Sequence, residues 1–580
     1  MANLHYRFSF NQPNNHLVDI SFEIFHNKTD RITLQLPIWR PGRYELGNFA
    51  KNIFSLNVCD EKGRILPFKK ISSHQWEVES NGVQTIRVNY RYYAADLNAG
   101  STFLDATQLY VNPVNCCLFI PERMHEPCRV ELQVPEKWKT ATAMQEIEKG
   151  RVYQAINFDQ LADSPFIASS ALQYDLIELR DHRFHLWFNG KTLLDWGKIK
   201  GDFSRFCENQ LEMMGPLPGR DYHFMFQILP VPFYHGVEHL YSTVCALGPG
   251  NKIFGPDLYP ELLGVSSHEL FHAWNIKFIR PEEMMPYDFS SENYSRSGWV
   301  YEGITTYYGD QFLIRSGVFD AEKFLKTFNE KLKKHFTSFG RFNQSVSDAS
   351  FDTWLDGYSP GIPHRKTSIY TEGSLCAFML DMLIREHSNE KYSLDDFMRY
   401  MNQLAKEGNG YHRETILNAL GKFADYDFTG FYEKYIDGTR DYEPLLRECI
   451  ERVGLLLSES RPWSEAEHAF GLLLSESGGN TNIASLAPGS PAENAGLSIG
   501  DVLVACDHQR IRSDFSFLAS SKDKITLHVF HNEVLEEFKL IRDGKTYFSG
   551  RKVSINTSAS TEQQEAWRKW THSDFPLRSQ

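Results

Sequence analysis

Two histidines stand four residues apart in VSSHELFHAWNIKFIRP (265–281), and that spacing is the strongest constraint the chain places on its own fold. On an α-helix, positions four apart share one face. His268 and His272 can therefore bring two imidazole nitrogens to a single metal ion, and Glu269 can reach a water on that ion rather than the ion itself. The segment must then be a helix, with Leu262, Leu263, Leu270, Phe271 and Trp274 as its other surface to bury and Pro281 marking its end. The competing reading is a pair of core histidines. A metal reading has to find a third ligand elsewhere, because catalytic zinc takes three protein ligands and keeps a fourth position open.

Downstream, GWVYEGITTYYGDQF supplies Glu302, thirty residues after His272. A carboxylate among Trp299, Ile304, Tyr307, Tyr308 and Phe312 is costly to bury unless it is paired, protonated or metal-bound. The alternative is an ordinary glutamate on the wet side of a helix. Upstream, YHGVEHLYS places Glu238 two residues after Gly236. A glycine lets backbone approach a ligand closely, and an acid at the end of a groove can pair with a free α-ammonium; a surface strand residue is the plainer reading. Tyr370, which opens SIYTEGSLCAFMLDMLIREH, could donate a hydrogen bond to an oxyanion or be a buried structural tyrosine.

At 580 residues the chain exceeds one ordinary core, and roughly three or four domains are expected. A net charge of −13 without any Lys/Arg-rich run argues against nucleic acid and anionic membranes as partners. Nine scattered cysteines, an odd number with no C-x-x-C pair, point to a reducing compartment rather than a disulfide framework. The start MANLHYRFSFNQ alternates like a strand instead of forming a targeting segment, and no apolar run is long enough to span a bilayer, so a cytoplasmic protein is expected.

Over residues 1–170, period-two runs such as LVDISFEIFH, RITLQLPIW and TIRVNYRYYAAD read as an antiparallel β-sandwich. WRPGRYELGNFAKNI (39–53) interrupts it as a Pro-Gly turn with aromatic anchors, read as a structural loop. Residues 171–455 turn to α+β texture. YHFMFQILPV is a strand, and helices are expected at 259–276, 298–315, 368–387 and 393–406, the last opened by a capping box of Ser393 and Asp396. Strand and turn texture returns over 456–545. The polar stretch 546–580 holds one expected helix at STEQQEAWRKW.

Taken in order, Gly236-Val-Glu238-His239, His268-Glu269-x-x-His272, Trp299-x-x-Glu302-Gly303-x-Thr305-x-Tyr307-Tyr308 and Tyr370-x-x-Gly373 resemble the motifs of the glycyl-aminopeptidase family of gluzincin metallopeptidases. The resemblance extends to PIWRPGRYELGNFAKN and to a PDZ-like GSPAENAGLSIGDVLVA. It implies a multidomain α+β chain: an N-terminal β-sandwich (1–170), a thermolysin-like catalytic domain with a helical second half (171–455), a PDZ-like domain (456–545) and a polar tail (546–580). It also implies one zinc ion per chain on His268, His272 and Glu302, with Glu269 as general base and Tyr370 as oxyanion donor. Glu238, beside Gly236, would read the free amino end of a peptide whose first residue is small, Gly or Ala. The chain departs from the family in reading GVEH at the amino-group motif and in placing Glu372 where a lysine is common. Two other readings stay open. One is a scaffold with an inert metal site, in which Phe470, Gly471, Leu472 and Leu473 form a loop that binds a peptide C-terminus. The other is an endopeptidase, differing in how Glu238 is used.

Overall fold

Leu17–Ile24 alternates half-buried and buried side chains over all eight residues, as a strand with one face on a core must. It sits in a seven-stranded sheet with the order Gln145–Glu148, Val152–Ala155, Cys128–Leu132, Leu4–Ser9, Leu17–Ile24, Ile86–Tyr93, Ile53–Asp60. The sheet is not purely antiparallel, because Leu4–Ser9 runs parallel to Cys128–Leu132. The chain leaves the sheet, builds other strands and re-enters beside its first strand in the same direction, as a parallel pair requires. Three-stranded and four-stranded sheets complete this β-rich region.

The computed structural model describes residues 2–359, 361–460 and 464–576. They form two compact units, Met1–Phe319 with Ser350–Ser359 and Leu380–Thr429, and Asp320–Ala349 with Pro360–Met379 and Gly430–Gln580. Within the first unit one hydrophobic core runs from Phe8, Phe22 and Trp39 to Ile276, Tyr287, Phe289 and Tyr301, so the β-rich region and the elements around the HELFH segment are packed as one body. A five-stranded sheet follows in the order Gln173–Leu179, His182–Gly190, Asp221–Ile228, Ser242–Gly248, Phe233–Glu238. Its last two strands are a hairpin, with Glu238 opposite Thr243, and Phe233–Glu238 is the sheet edge.

The helix expected over 259–276 runs Leu258–Phe271, where the chain turns: Lys277 N–H donates to the His272 carbonyl at 3.1 Å and Ile276 takes φ +93°. The helix expected over 298–315 begins with a π-helical turn, Trp299–Ile304, before Thr305–Arg315. Leu394–Lys406 carries the expected capping box of Ser393 and Asp396. No helix among the described residues is long and apolar enough to cross a membrane.

In the second unit, the stretch read as a polar tail carries its expected helix, Thr561–Thr571, and a strand besides. Arg551–Ile555 pairs with Leu455–Glu459, and Trp570 packs on Phe324 and Phe378 at ring separations of 5.4 and 5.2 Å. Between the paired strands lies a sheet running from Leu472–Ser477 to Val534–Ile541, with a core of its own that includes Phe470, Ile483 and Leu527.

Candidate metal centre

Leu262, Leu263, Leu270, Phe271 and Trp274 are all buried, which fixes the rotation of the helix Leu258–Phe271 and leaves one face for His268 and His272. Their Nε2 atoms lie 3.0 Å apart, and Glu302 Oε2 lies 3.7 Å from the first and 3.4 Å from the second. Tetrahedral zinc at ligand distances near 2.1 Å brings its donors to about 3.4 Å from one another, so the three groups fit one ion.

The His272 ring is oriented from behind. Its Nδ1 lies 2.9 Å from the Asn275 carbonyl oxygen, and in the tautomer that donates there, the Nε2 lone pair faces the shared point. Asn275 also donates its side-chain amide to Val300 O at 2.9 Å and to Thr305 Oγ1 at 3.0 Å, tying the turn after the helix to the segment that bears Glu302. The following Ile276, β-branched and buried at φ +93°, holds a backbone conformation such residues rarely adopt, and strain of this kind concentrates where geometry matters. Sequence reasoning missed Asn275. Its signal was an amide in an apolar run three residues beyond the second histidine.

Glu302 sits in the π turn, a device frequent at functional sites because it re-aims a side chain without ending the helix. Farther along that helix, Tyr307 donates to Asp381 at 2.6 Å and Tyr308 to Asp395 at 2.7 Å, so the two tyrosines expected as packing residues are also hydrogen-bonded clamps.

Glu269 and Glu238 are buried beside these groups, and one oxygen of each has no hydrogen-bond partner among the described residues. Glu238, Glu269 and His272 bring ligand atoms within 4.8 Å of one another. Gly236 is required here by close approach, since a Cβ on it would stand 2.1 Å from Glu269 Oε1 and 2.7 Å from Val265 Cγ2. Next to Glu238, Lys277 Nζ donates to Asp163 Oδ1 at 2.6 Å, and His239 Nδ1 lies 3.1 Å from the same oxygen.

The charges of the cluster favour a cation. Burial pushes the Glu269 carboxyl well above the usual range, and Glu238 and Glu302 push it further. Burial lowers His272, but Glu302 and Glu238 outweigh it and raise its proton affinity above the ordinary value. Burial also works against ionisation of Glu302, and there His272 and His268 prevail and hold the carboxyl low. A metal ion would take the place of the proton that three converging carboxylates attract.

Tyr370 stands in the turn that leads into the helix Thr371–His387, in the second unit. Glu372 is buried in that helix with an oxygen 2.7 Å from His335 Nδ1, so the residue that departs from the family pattern is a structural partner. The expected peptide-binding loop runs from a helix end into an edge strand. Phe470 ends the short helix Glu465–Phe470 and is buried, Gly471 is its left-handed cap and donates to Glu467 O at 2.8 Å, and Leu472 and Leu473 begin the strand Leu472–Ser477. The outward N–H of Leu474 donates to the Glu467 carboxylate at 3.0 Å.

The family model described as Peptidase M61 N-terminal domain matches residues 5–170, and that described as M61 glycyl aminopeptidase matches residues 261–376. Among solved structures, an aminopeptidase N family protein from Idiomarina loihiensis is similar over 97% of this chain and 99% of its own, at 26% identity and a TM-score of 0.90. A variant of an M1 zinc metallopeptidase from Deinococcus radiodurans, bound to a Tyr-Ser-Ala substrate, is similar over 76% of this chain and 94% of its own, at 13% identity and a TM-score of 0.48. No curated protein matches. The catalytic match spans His268, His272 and Glu302, and the N-terminal match spans the Pro-Gly turn at 39–53; the chain carries matches to both M61 domains and is a zinc aminopeptidase.

Proposed function

We propose that the enzyme removes a small N-terminal residue, Gly or Ala, from peptides with a free amino end, using one zinc ion held by His268, His272 and Glu302. The observation that carries this reading is the unpartnered, buried carboxylate oxygen of Glu238 beside Glu269, a place built for a positive charge next to the base. When bound, zinc supplies Lewis acidity, which acidifies water and polarises the scissile carbonyl. Glu269 takes the proton of the attacking water and returns it to the leaving amine; its burial raises its proton affinity toward the value such a base needs. Glu238 pairs with the substrate ammonium, so only the first peptide bond reaches Glu269. Tyr370 donates its hydroxyl to the developing oxyanion. The preference for Gly or Ala rests on the family's glycyl aminopeptidase character.

Engagement of the Gly471 and Leu474 donors within their own domain weighs against the loop at 470–473 as a peptide-carboxylate site. Nine buried, unbridged cysteines support a reducing compartment, the cytoplasm.

The test is a set of short peptides, each free and N-acetylated, incubated with zinc-loaded protein with and without chelator and read by mass spectrometry. Chelator-sensitive loss of single residues from free peptides alone, fastest with Gly or Ala first, is the expected result. Internal cuts in both forms would assign an endopeptidase, and fastest release of a bulky residue would overturn the small-residue preference.

A further inference from the structure

We infer that the Pro-Gly turn of the N-terminal domain forms the back wall of the pocket for the substrate's amino end, and that Gly42 is a positioning residue that fixes where the Glu238 carboxylate sits. The inference rests on Glu238 as the reader of the ammonium. It departs from the turn's expected role as a structural loop.

Gly42 takes φ +81°, and a Cβ built on it would stand 2.4 Å from Glu238 Oε2 and 2.9 Å from Glu238 Cδ. The carboxylate therefore lies directly on bare main chain, and no other residue type leaves that space. The turn that presents Gly42 is held rigidly. Arg43 N–H donates to Arg40 O at 3.2 Å across it, Ile38 N–H donates to Phe289 O at 3.0 Å, and Trp39, fully buried, donates from Nε1 to Asp288 O at 2.7 Å. The Trp39 ring meets Trp354 at 5.1 Å and Tyr287 at 5.4 Å, both edge-on. Such anchoring exceeds what a loop needs to reverse the chain, and it suits a wall whose position matters to a few tenths of an ångström.

The electrostatics agree with the geometry. Arg40 is buried with no carboxylate in ion-pair distance among the described residues, and Glu238 is the acid that most favours its charge. Glu238 thus has Gly42 behind one oxygen, a buried guanidinium in its field, and its other oxygen without a partner. A substrate ammonium completes the set, and its distance from Glu269 is set by how far the Gly42 main chain lets the carboxylate retreat.

The experiment compares two small inhibitors, glycine hydroxamate, which carries the ammonium, and acetohydroxamate, which lacks it. Both engage the metal. Gly42→Ala and Gly42→Asn each add a Cβ, and Asn tolerates positive φ, so the pair separates displacement of Glu238 from backbone distortion. With zinc content and melting temperature as in the unaltered protein, Ki for glycine hydroxamate should rise at least tenfold in both variants, while Ki for acetohydroxamate stays within twofold. On free Gly-peptides KM should rise and kcat change by less than threefold. Equal small shifts for both inhibitors would overturn the inference. Glu238→Gln is measured in parallel: if it too leaves the ratio of the two Ki values unchanged, the amino-group reading itself has failed, whereas a change in Glu238→Gln alone removes only the role of Gly42. A crystal structure of the unaltered protein with glycine hydroxamate reads the contact without any variant. The ammonium on Glu238, with Gly42 in van der Waals contact at about 4 Å behind it, supports the inference, and an ammonium bound elsewhere ends it.

Discussion

Gly236→Ala isolates the placement of Glu269, the proposed general base, from everything else in the site. The added Cβ would meet Glu269 Oε1 at 2.1 Å, against 3.4 Å for ordinary contact, so the carboxylate must retreat by the difference, about 1.3 Å. Val265 Cγ2 at 2.7 Å closes one direction of escape. Gly236 lies in a strand without positive φ, so the backbone accepts alanine, and a strand interior gains roughly 0.5 to 1 kcal/mol from it. The three atoms nearest the new methyl belong to Glu269 and Val265, and none to His268, His272 or Glu302. A catalytic group misplaced by about 1 Å costs roughly a hundredfold in rate, which is about 2.7 kcal/mol of barrier. The expected result is a kcat on glycine or alanine p-nitroanilide lowered about a hundredfold, with zinc content and melting temperature held. Turnover within threefold of the unaltered enzyme, zinc bound, would refute both the contact and the role given to Glu269.

Glu269→Gln keeps the shape of the side chain and removes its basicity; kcat should fall by roughly 10² to 10⁴ while mass spectrometry still finds the metal. Asn275→Ala frees the turn behind His272 from the Glu302 segment, and zinc affinity by chelator competition should drop about 10- to 100-fold with the ligands themselves intact. Although burial raises it, Lys277 and His239 hold Asp163 at about 2. That depressed value gives stability present above the unfolded carboxyl's pKa near 4 and lost as pH falls toward 2, about 2 kcal/mol in all. Urea titrations of the unaltered protein between pH 5 and pH 2 should therefore show a loss that Asp163→Asn, weaker at neutral pH, does not repeat.

The candidate metal site was legible because its signals are local. Helical period alone places His268 and His272 together, and the apolar flanks of Glu302 mark it as an acid that needs a partner. The hairpin at 233–248 was half legible: FYHGVEHLYSTVCALG reads as a turn leading into one extended segment, whereas its first half is itself a strand paired with the second. What stayed hidden depends on contacts between distant stretches of chain. Nothing in the alternation of Leu4–Ser9 announces a parallel partner at Cys128–Leu132, because one strand's pattern reports only which face is buried. Gly42 reads as turn chemistry, and its contact with Glu238 exists only once the two segments share a core. The strand Arg551–Ile555 buries one residue fully, too few to stand out from polar sequence. Trp567 and Trp570 were the better clue to order beyond 546, since tryptophans seldom face water without a reason.

The pairing of Leu455–Glu459 with Arg551–Ile555 gives the intervening module a zipped stem. Glu459 stands opposite Arg551, and Ser460 N–H donates to Gly550 O at 3.0 Å, so the chain enters and leaves the module at one point. In engineering terms the module is a cassette: a two- or three-residue turn joining Ser460 to Gly550 would replace it by a hairpin and leave the stem and the helix bearing Trp567 and Trp570 on either side of the cut. In evolutionary terms the same seam lets such a module be gained, lost or exchanged in a single step.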